Sequence, residues 1–264
     1  MRNGMKRAAL GLAAAALSLG LMGCSLSSGF ADYDVSGYFQ ALLDSSYKNQ
    51  NENYMTVAAT TEEDAQQNNV TTVQNAAVNF CNTYSISPSD EQLAQIEEVM
   101  QQMLAQANYL VKDEQKVETG YYLEVEIDPI VNFSDIDDEI QKLRNEAKEE
   151  ASQANEESSS SQEEEDSYLS GEDYDPWAEE ETSEEEETQL ESSQTQEDED
   201  TYVDANDLFV EKVVEFCQQQ TSSIRYSGQP ITISLDIRQT DQGELQLDTN
   251  QLDTIDRTVL QFQS

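Results

Sequence analysis

The side chains of this 264-residue chain with the most chemistry to offer are its three cysteines and several acidic clusters. Cys24 ends an uncharged apolar run. Cys81 and Cys217 sit at the ends of apolar helical patterns, where a thiol packs as a small hydrophobe. In an oxidising compartment the same two could instead form a disulfide, which would close a long loop and stabilise the fold by up to about 5 kcal/mol in the chain-entropy model. Glu124, Glu126 and Asp128 recur at every second position. Paired carboxylates can act as acid and base in glycoside hydrolysis, while the same spacing describes the solvated face of a strand. Asp135, Asp137, Asp138 and Glu139 are grouped as in a calcium loop, yet no glycine marks the turn and the closing glutamate is out of place for an EF-hand. A helix N-terminus, which favours negative charge, accounts for them. Asp173-Tyr174-Asp175-Pro176-Trp177 carries the sole tryptophan, either as a docking motif for a basic partner or as a tolerated aromatic.

The chain has no histidine. That removes serine–histidine, cysteine–histidine and histidine–zinc chemistry together, and two cysteines without histidine make a poor metal site. Neither catalysis nor a metal or organic cofactor is expected. The charge is −42, from 13 basic and 55 acidic side chains. Such a chain is repelled by phosphate backbones and anionic headgroups, so nucleic acid is not an expected partner.

Arg2, Lys6 and Arg7 precede an apolar run from Ala8 to Met22 without a charge, which is the layout of a signal peptide. The run is shorter than the roughly 20 residues that cross a bilayer as a helix. Leu21-Met22-Gly23-Cys24 resembles the lipobox of bacterial lipoproteins, in which the cysteine receives a diacylglycerol and becomes the new N-terminus. Residues 1–23 then read as a lipoprotein signal peptide and 24–33 as a tether. Two or more acyl chains hold a protein stably because burial adds roughly 0.8 kcal/mol per methylene. The expected location is the extracytoplasmic face of the cell membrane. The mature chain keeps 10 basic and 55 acidic residues, a charge of −45.

The elements behind these residues follow from periodicity. Val35, Tyr38, Phe39, Leu42 and Leu43 recur at helical spacing and predict a helix over 34–48, with Asp34 or Ser36 as its cap. Thr60-Thr61-Glu62-Glu63 predicts the start of a second helix carrying Val70, Val73, Ala77 and Phe80. Ser87-Pro88-Ser89-Asp90 breaks the chain and opens a third, over 91–108. Alternation at Tyr121, Leu123, Val125 and Ile127 predicts a half-buried strand, preceded by a weaker strand over 109–117 and a turn at Glu118-Thr119-Gly120. Residues 134–148 read as a fourth helix. From Glu149 to Asp200 there are 23 acidic and no basic residues, a composition expected to stay disordered. Asp204 caps a further helix. Ile231, Ile233, Leu235 and Ile237 mark another strand, Asp241-Gln242-Gly243 a turn, and Leu245 and Leu247 its short partner. Leu252, Ile255, Val259 and Phe262 fit a final helix.

An isolated two-stranded sheet is marginal in water, whereas a loop of about 50 residues costs only on the order of 3.5 kcal/mol to close. The expectation is therefore one α+β domain over 34–264, a four-stranded antiparallel sheet from two hairpins covered by helices, interrupted by a disordered acidic insertion at 149–203. The run from Asp34 to Lys48 just after the lipobox, with a late strand pair followed by a helix on Leu252 and Ile255, is similar to uncharacterised lipoproteins of low-GC Gram-positive bacteria, the DUF5105-type group. That resemblance implies location more than activity. The functional expectation is a non-enzymatic surface binding or interaction module that meets an envelope protein or a small ligand. A solute-binding lipoprotein serving a transporter is the alternative, weakened because such proteins usually have two lobes with parallel sheets.

Overall fold

The computed structural model describes residues 34–165, 202–240 and 245–263. The expected α+β architecture is present, with seven helices and one antiparallel sheet among the described residues. Helix α1 (Val35–Lys48) is capped by Asp34, whose carboxylate accepts from the Gly37 amide. Helix α2 (Asn51–Ala58) follows at once. Helix α3 (Glu62–Thr83) starts at Thr61 and buries Ala65, Asn69, Val73, Ala77 and Cys81, spaced by four along one face. Helix α4 (Asp90–Leu104) begins with a capping box between Ser89 and Gln92.

Strands β1 (Asn108–Val111) and β2 (Gln115–Val117) both pair with β3 (Gly120–Asp128). The expected single strand over 109–117 is thus two short ones, because Lys112 to Glu114 leave the ladder after the Lys112 amide donates to the Glu124 carbonyl. Gly120 turns the chain at φ 151, and a Cβ there would lie 1.9 Å from the Ile237 carbonyl oxygen. Strand β4 (Ile231–Gln239) pairs along the whole of β3, placing Leu123 opposite Leu235. Strand β5 (Leu245–Leu247) meets only Ile237 to Gln239. The order is β1-β3-β4-β5, with β2 beside β1 on the same edge of β3. Of the expected turn at Asp241-Gln242-Gly243, all three residues lie outside the described ones.

Helix α5 (Asp137–Glu165) corrects the expected boundary at Lys148. Ile140, Leu143, Ala147 and Ala151 continue one buried stripe, and acidic composition does not stop a helix whose apolar face is packed. The stripe rests on α6 (Ala205–Gln220), where Lys212 meets Glu150 at 2.7 Å. Four residues beyond Ala151, Asn155 accepts from the Val203 amide at 2.9 Å and donates to its carbonyl at 3.1 Å. The two ends of the acidic segment are held together there. Helix α7 (Thr249–Val259) closes the fold.

The apolar face of the sheet, Tyr121, Leu123, Val125, Ile127, Ile233, Leu235 and Ile237, is buried with the inward faces of the helices. At one end Phe80, Tyr84, Phe133 and Phe262 form an aromatic cluster. The Tyr84 hydroxyl lies against the carbonyls of Phe133 and Phe262. Fully buried Asn132 gathers another turn: its amide donates to Gln220 and Ser223 carbonyls, and its oxygen accepts from the Arg225 amide.

Candidate interaction surface

In β3 and β4 the residues that point away from the helices are Tyr122, Glu124, Glu126 and Asp128, and Thr232, Ser234, Asp236 and Arg238. The first four are half-buried and the second four exposed. Pairing sets them in rows, Leu110 beside Glu126 beside Thr232, and Gln115 beside Tyr122 beside Asp236. Leu110 on β1 is 58% exposed. This side of the sheet is a polar face with an exposed apolar residue, Leu110, at β1.

The three carboxylates of β3 on this face are engaged by their neighbours, while Asp236 on β4 is exposed. Lys112 lies 3.2 Å from Glu124 and 3.5 Å from Glu126, and the Tyr122 hydroxyl donates to Glu124 at 2.9 Å. The bonds from Tyr122 and Lys112 hold the Glu124 carboxyl below its usual range, and the Glu124 bond raises Lys112. A general acid needs the opposite shift. Asp128 turns to the end of the sheet, where it accepts from the Ser227 hydroxyl and the Gly228 amide, both at 3.0 Å. The three carboxylates thus line the outward side of β3, two against Lys112 and the third against the Ser227–Gly228 turn. Asp137, Asp138 and Glu139 occupy the first turn of α5, as the helix-terminus reading expects. Among the described residues no group of three acidic or cysteine side chains is placed to hold a metal ion.

The edge of the sheet beside this face is also informative. Backbone N–H and C=O groups of successive strand residues point to opposite neighbours. The Gln239 amide donates to Thr119 on the β3 side, and the Asp236 amide donates to the Gln251 side chain at 3.3 Å on the other. Thr232, Ser234 and Asp236 therefore direct their main-chain groups away from β3. Since β5 begins its pairing only at Ile237, the edge from Ile231 to Leu235 has no strand beside it among the described residues. Ile231, at the start of this edge, is 41% exposed.

Other polar clusters serve the fold. Tyr47 is fully buried under α7 and donates to Asp256 at 2.6 Å. Burial pushes the Asp256 carboxyl up to about 6, against the Tyr47 bond. Burial also works to raise Asp44, but bonds from Gln40, Tyr109 and Lys48 leave it below its ordinary value. Cys81 and Cys217 are buried free thiols. Burial pushes Cys81 up to about 11 and Cys217 higher still, with Cys81 adding to the second shift. An open groove of about 510 Å3 between the C-terminal ends of α4 and α6 is lined by Gln102, Ala105, Gln106, Thr221, Ser222 and Ile224. None of these side chains is charged. Cys24 and the segment from Asp173 to Trp177 lie outside the described residues. Among the described residues, no helix is long and apolar enough to cross a membrane.

Sequence reasoning placed the carboxylates on the correct face but did not locate the open edge. The signal for it was available in the lengths, because a nine-residue strand precedes a three-residue partner. No protein-family model matches the chain, and no curated protein matches it. Among solved structures, it is similar to that of a "putative lipoprotein (ycdA)" from Bacillus subtilis, with a TM-score of 0.48 and 10% identity. The likeness covers 86% of this chain, which spans 56% of the other's length.

Proposed function

We propose that the chain is a lipoprotein anchored through Cys24 at the extracytoplasmic face of the cell membrane, and that its folded part binds another envelope component without catalysing a reaction. Leu21-Met22-Gly23-Cys24 after a short charged and apolar leader supports the anchor. The similarity of the 34–48 run and the late strand–helix pattern to the DUF5105-type lipoproteins supports the same location. One observation carries the binding role: among the described residues, the sheet is covered by helices on one side and leaves a polar face and one edge open on the other. The clamp of Lys112 on Glu124 and Glu126 supports recognition over acid–base chemistry at those two carboxylates.

The test uses the full chain in a Gram-positive host. Wild type is expected in the membrane fraction and a Cys24→Ala variant in the medium or still uncleaved. The mature chain, immobilised by its N-terminus, is expected to retain a defined partner from detergent-solubilised envelope. Replacing Tyr122 and Glu126 on the open face by alanine and lysine should abolish that retention. Wild-type distribution of Cys24→Ala, or equal retention by the altered face, contradicts the reading.

A further inference from the structure

We infer that the open edge of β4, from Ile231 to Leu235, takes up an extended basic segment of a partner protein as an additional strand. The inference rests on the binding role proposed above and names its chemistry. Exposed edges template the addition of strands, so folded proteins usually blunt them with proline, lysine, a bulge or a covering element. The sequence Ile231-Thr232-Ile233-Ser234-Leu235 contains none of the first two, and its register with β3 runs without a bulge from Ile127 opposite Ile231 to Gly120 opposite Arg238. Among the described residues, the hydrogen bond to an outward amide of β4 before Ile237 comes from Gln251 of α7, at Asp236. Thr232 and Ser234 thus present their amides and carbonyls at the alternate spacing that a neighbouring strand requires. Main-chain bonding of this kind fixes direction and register, and the flanking side chains choose the sequence.

Those side chains argue for a basic occupant. Asp236 stands exposed on the strand, and Asp248 caps the helix whose next turn supplies Gln251. Arg238 is the cation on the same face of β4, at the far side of Asp236. The whole chain carries −42, so a cationic segment is drawn in by the long-range field. A second copy of the chain carries the same negative charge and is repelled by that field, which argues against self-pairing along the edge.

The experiment is amide hydrogen exchange followed by NMR on the mature chain, with synthetic peptides of about nine residues to match β4. One alternates lysine and valine, a second alternates glutamate and valine, and a third is the lysine peptide with alternate amides N-methylated. In the free protein Thr232 and Ser234 amides should exchange quickly and those of Ile233 and Leu235 slowly. The lysine peptide should slow Thr232 and Ser234 by about tenfold or more, since strand pairing protects an amide to the extent that the pair stays closed. The other two peptides should leave them unchanged. Thr232→Pro and Ser234→Pro remove outward amides without touching the ladder to β3, and each should abolish the effect. Should either melt early, the N-methylated peptide carries the same test on the unaltered chain.

Slow exchange at Thr232 and Ser234 in the free monomer overturns the inference, because the edge is then covered by the chain itself. So does protection that rises with protein concentration together with a dimer in sedimentation, which assigns the edge to a second copy. Equal effects of all three peptides, or none from any, also overturn it. If the envelope partner is retained undiminished by the folded proline variants, the binding role stands and the edge is not its site.

Discussion

Replacing Asp256 by asparagine should stabilise this protein at neutral pH and do nothing in mild acid. The carboxyl sits in α7 beside fully buried Tyr47, and burial lifts it to about 6 from an ordinary 3.8. The neighbouring carboxylate of Asp253 pushes in the same direction, while the Tyr47 hydrogen bond opposes both. A carboxyl whose folded value lies above its unfolded value holds its proton more tightly when folded. Stability therefore falls as pH rises from about 4 to about 6, and the ionised group is a burden at pH 7. A shift of roughly two units corresponds to about 3 kcal/mol, an upper bound because part of the Asp256 residue still reaches solvent. Asparagine keeps an oxygen to accept from Tyr47 and discards the charge. For a domain of this size, about 3 kcal/mol corresponds to a Tm rise of roughly 6–12 °C. Thermal melts of the two proteins by circular dichroism at pH 7.5 and pH 4 make the comparison. Self-repulsion from the other carboxylates is common to both proteins and cancels in the difference. A variant that melts with the wild type at pH 7.5, or gains the same margin at both pH values, refutes the assignment of the penalty to this proton.

Two substitutions and a pair of deletions examine the frame. Gly120→Ala brings a Cβ against the Ile237 carbonyl at 1.9 Å, and urea titration should show a loss of about 3 kcal/mol or more through strain. Asn132→Ala leaves the Ser223 carbonyl and the Arg225 amide without their side-chain partner, and the Gln220 carbonyl with only the Ser223 amide at 3.4 Å. With fully buried Asn132 lost and its partners only partly shielded from water, the cost is on the order of 1–3 kcal/mol in all, and a fall in Tm of a few degrees is expected. Deleting residues 166–200 touches none of the described contacts and should shift the melt little, whereas a deletion from 149 removes Ala151 and Asn155 and should lower it clearly. Equal melts for the two deletions contradict the packed continuation of α5.

Local signals in the sequence served well where the chain bonds to itself nearby. Thr61, Ser89 and Asp204 cap the helices they were expected to open, and alternation in β3 and β4 identified their buried faces. Helix α2 escaped because it buries only Tyr54 and its start at Gln50 has no side-chain cap. Composition misled at α5, since a window dominated by glutamate conceals the fourfold spacing of Ala147, Ala151 and Asn155. The partnership of Tyr47 with Asp256 spans 209 positions and has no local signature. For the candidate surface, the residues were legible but their environment was not. Nothing before β3 announces that Lys112 will return to clamp Glu124 and Glu126, because that depends on where the chain leaves the ladder.

The pairing of β3 with β4 also sets a timetable. Tyr122 and Ser234 share a hydroxyl contact although they lie 112 positions apart. A ribosome adds roughly 5–20 residues per second, so β3 waits on the order of 10 s before its central neighbour exists. During that interval Leu123, Val125 and Ile127, with 0% exposure in the finished protein, have no β4 to lie beside. A nascent sheet with an unfinished apolar face is prone to stick to other chains. Helices α1 to α4 precede β3 and are ready to shelter its apolar face as soon as it is made. The order of elements along the gene thus gives the early helical layer a second duty, as a temporary guardian of a strand whose mate is still being made.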